Sequence, residues 1–327
     1  MIDAIKPYLR PIKQASQRWR ANRMAARPSV HDVNPSPPPA GFIVGCGRSG
    51  TTILGKMLSP HPEICYLFEP YHIWAAIDQR TDVTNLHYTV DGLFIMDAAL
   101  ATPEARRRFN RVVYGERAMS GRPIVIEKTP HNVARIGYLD ALSPGAKYLH
   151  IVRSGIDIAR SIERLATRSE YKMVHKPAYN QWWGLDSAKW RALSRDGVAA
   201  GYLSDEVPLL QSHAQRGAYE WLVSLGEADR WRGILGPRLM EITYPQLTSD
   251  ARGTLIRICE FFGASAPTPW LARASAMIEN ERRNKGDALR LPPVMRGRFN
   301  ELMARYGFEG RAEALIERAT ATVEQAT

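Results

Sequence analysis

Gly41-Phe42-Ile43-Val44-Gly45-Cys46-Gly47-Arg48-Ser49-Gly50-Thr51-Thr52-Ile53-Leu54-Gly55-Lys56-Met57-Leu58 is the stretch whose reading decides the fold. A buried-strand run, Gly41–Gly45, enters a glycine-rich turn, and a helical pattern leaves it at Thr51 and closes at Ser59 and Pro60. Glycines let the backbone turn tightly, so successive N–H groups aim at an anion held on the helix N-terminus. Strand, turn and helix together supply the context that a phosphate loop requires. The Walker pattern places a lysine where Thr51 stands; here the cation is Arg48, inside the loop.

Outward from this stretch, short apolar runs alternate with helical patterns. Ile64–Phe68, Arg122–Glu127, Lys147–Arg153 and Arg238–Tyr244 read as strands. Helices are expected over Pro130–Leu142, with Thr129 as N-cap and Pro130 at the first helical position, and over Gly155–Arg168, His213–Trp231 and Ser249–Phe262. A last helix is expected near Arg311–Thr322, and residues 169–212 read as irregular and aromatic-rich. Strands that alternate with helices argue for βαβ units, hence an α/β fold with a central parallel sheet flanked by helices.

The chain has 327 residues, 45% hydrophobic and 24% charged, which excludes wholesale disorder and fibrous architecture. Cys46, Cys65 and Cys259 are too far apart for a metal motif or a disulfide framework, and no metal is expected. Net charge is +11, of which residues 1–30 carry +6 through Lys6, Arg10, Lys13, Arg18, Arg20, Arg23 and Arg27 against Asp3. Ile5, Leu9, Ile12 and Trp19 recur near helical spacing there, interrupted by Pro7 and Pro11. The segment reads either as a solvated, frayed arm or as a peripheral surface anchor for anionic lipid or a polyanionic acceptor. Residues 28–40, with five prolines, read as an extended linker. Residues 1–40 are therefore set apart from a domain spanning 41–327. No basic–aromatic motif of a nucleic-acid reader follows, so no nucleic-acid partner is expected. With no apolar leader and no membrane span in the sequence, the expected location is cytoplasmic.

Strand ends supply the remaining candidates, because open α/β sheets bind ligands at the carboxyl ends of their strands. Arg153 ends a strand and offers a planar fork for a phosphate, and Ser161, eight residues on, can face the same ligand from the following helix. Lys128 follows another strand, a poor place for a lysine near a helix start unless it has an anion to meet. Glu69 follows a third strand and puts a carboxylate beside the loop, where it can accept a proton. His72 is the alternative base.

These motifs resemble the sulfotransferases that use 3′-phosphoadenosine 5′-phosphosulfate (PAPS), in particular the bacterial, carbohydrate and tyrosylprotein branches. The resemblance covers roughly residues 41–265. It implies the P-loop-containing sulfotransferase-like fold and no metal. It implies that Gly47, Arg48, Ser49, Gly50, Thr51 and Thr52 hold the phosphosulfate, with Arg153 and Ser161 on the 3′-phosphate. Lys128 would contact the transferring sulfuryl oxygens, Glu69 would act as base, and Tyr244 belongs to the family's late strand and helix. Ser154 departs from the Asp or Asn common after that arginine. In the family a basic C-terminal loop closes over the nucleotide; Arg282, Arg283, Lys285 and Arg290 are the candidates, with Lys285 the one selected.

The resemblance implies a hydroxyl acceptor. Tyr171, Tyr179, Trp182, Trp183, Trp190 and Tyr202 suit a carbohydrate, polysaccharide or glycolipid face, or alternatively anchor the 169–212 segment on the core. Two rivals remain: a P-loop small-molecule kinase, and a non-catalytic protein that binds membranes or polyanions through residues 1–30. Arg106, Arg107 and Arg108 read as a solvated helix face, and Trp221 and Trp270 as core.

Overall fold

The apolar runs become one five-stranded sheet. In the computed structural model, which describes residues 2–28, 38–168, 176, 178–278 and 288–315, β1 (Gly41–Val44), β2 (Ile64–Phe68), β3 (Ile124–Lys128), β4 (Lys147–Val152) and β7 (Leu239–Thr243) lie in the order β2-β3-β1-β4-β7. All four pairings are parallel, with Phe68 opposite Lys128, Val44 opposite His150 and Val152 opposite Thr243. The expected α/β architecture with a central parallel sheet is present. β1 is buried at every position, as a central strand with both faces covered requires.

Helices cover the two faces. α2 (Thr51–Leu58), α10 (Tyr244–Ser249), α11 (Ala251–Phe262) and α12 (Thr268–Ser275) pack on one side around Ile43, Leu54, Ile151 and Ile258. α6 (Ile136–Leu142) and α9 (His213–Leu235) cover the other, where Phe42 stacks on Tyr148 at 5.4 Å. α7 (Gly155–Thr167) packs along α9. α3 (Tyr71–Ile77), α4 (Pro103–Phe109), a π-helical turn over Asn110–Tyr114 and α5 (Gly115–Ser120) fill the β2–β3 crossover.

Four local readings need correction. Residues 130–142 are not one helix: Pro130–Arg135 is a 3-10 turn and only Ile136–Leu142 is α. Thr129 does not cap it, because its hydroxyl donates to Glu127 Oε1 at 2.5 Å instead. Within 169–212, where β5 (Tyr179–Asn180) and β6 (Gly184–Leu185) form a short antiparallel pair, α8 (Ala188–Ala199) was not foreseen; its inward face includes the small residues Ala188 and Ala192 with Leu193, a weak periodic signal. Glu313–Ala314 forms β9, paired with β8 (Arg290–Leu291), in place of the start of a last helix; the rest of that expected helix lies outside the described residues.

The N-terminal segment also departs from a frayed arm. Ile2–Ala26 is one helix, α1, with Ala21 and Ala25 buried against the body. Pro7 and Pro11 do not stop it, since fifteen proline-free residues follow and tertiary docking supplies the stability that propensity lacks. Most of the proline-rich linker lies outside the described residues. No helix among them is long and apolar enough to cross a membrane. Cys46, Cys65 and Cys259 are free and buried. Trp221 and Trp270 are core residues, and Arg107 and Arg108 pair with Glu104 on an outer helix face, as read.

Candidate active site

Because every strand of the sheet runs the same way, the carboxyl ends of all five meet at one edge. In spatial order they deliver Glu69 after β2, Lys128 at the end of β3, the 45–50 loop after β1, Arg153 after β4 and Tyr244 after β7. With neighbouring strands about 4.8 Å apart, this row spans roughly 19 Å.

The loop is a tight turn. Gly45 N–H donates to the Pro130 carbonyl at 3.0 Å, and Ser49 N–H to the Cys46 carbonyl at 3.2 Å. Gly50 sits at φ 103°, and a Cβ there would lie 2.4 Å from the Tyr244 ring, so no other residue fits. A Cβ on Gly47 would lie 2.3 Å from the Trp182 ring. Ser49 Oγ is buried with no hydrogen-bond partner.

Arg48 occupies a positive φ of 74° and Glu69 one of 40°. Such backbone costs about 1–3 kcal/mol per residue and persists where the surroundings over-determine it. Arg48 Nε donates to Ser161 Oγ at 3.0 Å, and Arg153 Nη1 reaches the Arg48 carbonyl at 3.4 Å. Arg153 lies 4.5 Å over the Tyr244 ring and pairs with Asp157 at 3.3 Å. The Trp221 indole pins its backbone by donating to the Arg153 carbonyl at 3.0 Å. Ser154 caps α7, accepting from the Asp157 N–H, so its departure from the family pattern leaves the helix start intact. Burial, and then the charge of Arg153, pull the Arg48 guanidinium below its usual value, with Glu69 opposing.

Lys128 is fully buried, and its Nζ donates to Glu69 Oε1 at 2.5 Å while lying 4.1 Å over the Phe68 ring. Burial lowers the Lys128 ammonium, and the Glu69 carboxylate resists that shift. Glu69 Oε2 has no hydrogen bond among the described residues. The neighbouring carboxylate, Glu127, serves structure. It accepts from Trp74 Nε1, Thr129 Oγ1 and Asn132 Nδ2, and burial raises it to about 7.

Two cavities open onto this edge. The larger, about 540 Å³, is lined by Gly50, Lys56, Arg153 and Tyr244 among others; the smaller, about 280 Å³, by Glu69, Tyr71, His131, Trp182, Lys189 and Glu220 among others. Arg48, Thr51 and Thr52 line both. A group transferred between ligands in the two cavities would pass these three residues.

The smaller cavity holds groups that the sequence reading did not select. His131 is buried, stacks on Tyr71 at 5.9 Å, and leaves Nε2 without a partner; burial holds its imidazole well below the usual value, hence neutral. Lys189 Nζ pairs with both Glu220 oxygens at 2.7 and 2.9 Å, and the Trp182 indole donates to Glu220 Oε2 at 3.0 Å. Lys189 and Glu220 stand 31 residues apart on separate helices, α8 and α9, so no spacing could announce them. Of the aromatic residues expected to face an acceptor, Tyr179 and Trp182 line the cavity. Trp183 and Trp190 pack in the core, and Tyr202 donates to Glu227. Tyr171 lies outside the described residues.

Two other candidates fall elsewhere, and three more lie outside the described residues. His72 lines neither cavity: it meets His87 edge-on at 6.4 Å, and burial, with His87 and Arg20, lowers it to about 4. Arg290 pairs with Glu313 at 3.5 Å. Lys285, with Arg282 and Arg283, lies outside the described residues. Among the described residues no group of His, Cys, Asp and Glu is arranged to hold a metal ion.

The sequence model of the sulfotransferase family matches residues 39–268. Nodulation protein NoeE of Sinorhizobium fredii (strain NBRC 101917 / NGR234) is 30% identical over 142 residues, 40% of this chain and 32% of that protein. Human carbohydrate sulfotransferase 5 is 36% identical over 66 residues, 18% of this chain and 16% of that protein. The chain thus spans about a third and a sixth of the length of these curated relatives. Among solved structures, the sulfotransferase domain of the Synechococcus PCC 7002 olefin synthase superposes with a TM-score of 0.48 at 19% identity, over 85% of this chain and 97% of that domain. Since the matched span, 39–268, takes in the loop, Glu69, Lys128, Arg153 and Tyr244, the row of groups along the sheet edge lies within the matched region, and the chain belongs to the sulfotransferase family.

Proposed function

We propose that this protein transfers a sulfuryl group from PAPS to a hydroxyl of a carbohydrate or glycolipid. One observation carries the reading: the two cavities meet at Arg48, Thr51 and Thr52. In this reading residues 41–327 form the catalytic domain. The larger cavity takes the nucleotide. The loop N–H groups, with Arg48, Thr51 and Thr52, hold its phosphosulfate end, Arg153 with Ser161 its 3′-phosphate, and Tyr244 closes the wall. The smaller cavity takes the acceptor.

Glu69 accepts the proton of the acceptor hydroxyl through its free oxygen as the new O–S bond forms. Arg48 stabilises the charge that develops on the sulfuryl and departing phosphate oxygens as the old S–O bond breaks, while Lys128, fully buried and lining neither cavity, acts through its bond to Glu69 Oε1. The Arg48 guanidinium is already oriented by its bond to Ser161, so little reorganisation accompanies the step. A kinase reading lacks support: Thr51 stands at the Walker lysine position, and Glu127 is sealed by three donors away from both cavities.

Thermal unfolding with 3′-phosphoadenosine 5′-phosphate, compared with ADP and with ATP plus Mg²⁺, tests the donor. A ligand at about 100 times its Kd adds about 2.7 kcal/mol. Selective stabilisation by the 3′-phosphorylated nucleotide is expected; stabilisation by ATP with Mg²⁺ alone overturns the reading.

Neutral His131 is suited to bond a second hydroxyl of the acceptor. The Lys189–Glu220 pair compensates its own charge, which favours a neutral polyol over an anionic acceptor. Removing such a hydrogen bond costs about 1–1.5 kcal/mol. His131→Ala is expected to raise the acceptor KM about tenfold with kcat within threefold. His131→Gln, whose amide nitrogen reaches the same place, is expected to recover most of the loss in initial-rate assays.

A further inference from the structure

Helix α1 presents two contrasting faces. The inner face buries Ala21 and Ala25, while Arg18 Nη1 donates to the His87 carbonyl at 2.5 Å and Asn22 Nδ2 to Tyr88 OH at 2.9 Å. The outer face leaves Leu9, Ile12 and Trp19 exposed at 55%, 67% and 61%. At about 100° per residue, Leu9, Ile12, Ser16, Trp19 and Arg23 fall within a sector of about 80°, opposite Ala21 and Ala25.

Scattered exposed apolar residues need no explanation, but a stripe of them on one helix face does. Cations accompany this stripe. Lys13, Arg23 and Arg27 are exposed, Arg23 lies 5.1 Å over the Trp19 ring, and Arg20 shares its charge with Glu116 at 2.8 Å. No acidic residue occurs between Ala4 and Pro28. Leucine, isoleucine and tryptophan in a basic, acid-free face match the chemistry of a helix lying in a membrane interface. The positive charge fits lipid phosphates and disfavours a second copy of the same basic face.

We propose that α1 docks this protein on an anionic phospholipid bilayer, with Leu9, Ile12 and Trp19 entering the headgroup boundary and Lys13, Arg23 and Arg27 facing lipid phosphates. The inference deepens the proposed function and rests on it for the acceptor alone. α1 packs on α3, which begins two residues after Glu69. Arg18 and Asn22 hold His87 and Tyr88, in the same loop as Thr84 and Leu86 of the smaller cavity. The docking helix is thus hydrogen-bonded to the loop that lines the acceptor cavity, which favours a lipid-linked sugar among hydroxyl acceptors.

The test is sedimentation of the full chain with phosphatidylcholine vesicles and with vesicles containing about one third phosphatidylglycerol. Surface basic residues each strengthen such binding about fivefold at low salt. Binding to the anionic vesicles is expected at least tenfold above the neutral ones and weaker in about 0.5 M salt. The triple variant Leu9→Ser, Ile12→Ser, Trp19→Ser is expected to lose at least tenfold while unfolding at the same temperature, because the three side chains contribute to no core. No binding to anionic vesicles, equal binding by the triple variant, or a wild-type dimer that the triple variant abolishes would each overturn the docking. Nucleotide stabilisation measured on the same samples separates the two readings: vesicle binding without it sinks the donor assignment alone, and the converse sinks the docking alone.

Discussion

Replacing Glu69 by glutamine is expected to lower kcat about a thousandfold while the affinity for 3′-phosphoadenosine 5′-phosphate stays within threefold. A positioned general base contributes about 10²–10⁴ in rate, and Glu69 borders the smaller cavity but not the larger one. Glutamine keeps an oxygen for Lys128 but cannot take a proton. It also leaves Lys128, fully buried, without its counter-charge, and breaking a buried pair costs about 3–5 kcal/mol. The single variant is therefore expected to unfold at lower temperature as well. Turnover of Glu69→Gln measured well below its own unfolding temperature separates the effects: a folded variant that stays slow has lost the base and not the fold. Full turnover in folded Glu69→Gln removes Glu69 as the base.

The second large effect is expected at Arg48. Losing one preorganised charge at the transferring group costs about 10²–10³ in rate. Arg48→Ala is expected to lower kcat/KM by that amount. Part of any loss could come from the backbone, since alanine inherits the φ of 74°. Arg48→Gly relieves that strain, so a glycine variant as slow as the alanine variant assigns the loss to the guanidinium. Arg48→Lys is expected to recover no more than about tenfold. A lysine is a point charge, whereas Arg48 donates through Nε to Ser161 and still projects its fork toward the shared wall of the cavities. Initial rates at saturating acceptor, with nucleotide affinity measured separately, distinguish these outcomes.

Local chemistry explains what could be read along the chain. Gly41–Val44 reads as a strand because a central parallel strand is buried on both faces and so is apolar throughout. The loop reads as a phosphate cradle because only glycine tolerates the positions pressed against Trp182 and Tyr244. Glu69, Lys128 and Arg153 stand out because each polar side chain directly follows or ends an apolar run. Where sequence reading failed, the signal was weak or displaced. Helix α8 carries its inward face on alanines. Thr129, a good capping residue, gives its hydroxyl to Glu127, which only the fold brings into reach. Helix α1 survives two prolines because docking, not propensity, holds it.

By itself, then, the sequence determined the alternation of strands and helices, the phosphate loop and the polar residues at strand ends, since each depends on neighbours within a few residues. Strand order was decided only in the tertiary structure, because parallel strands are joined through crossovers of about a dozen residues or more, and no local pattern records which strand lies beside which. The order β2-β3-β1-β4-β7 puts Lys128 against Glu69 and Arg48 against Ser161, and it sets the Arg48–Thr52 segment as the wall shared by two cavities. The Lys189–Glu220 pair and the unpartnered His131 nitrogen belong to the same class: they depend on which distant segments share a cavity, and that is fixed by how the helices pack on the sheet.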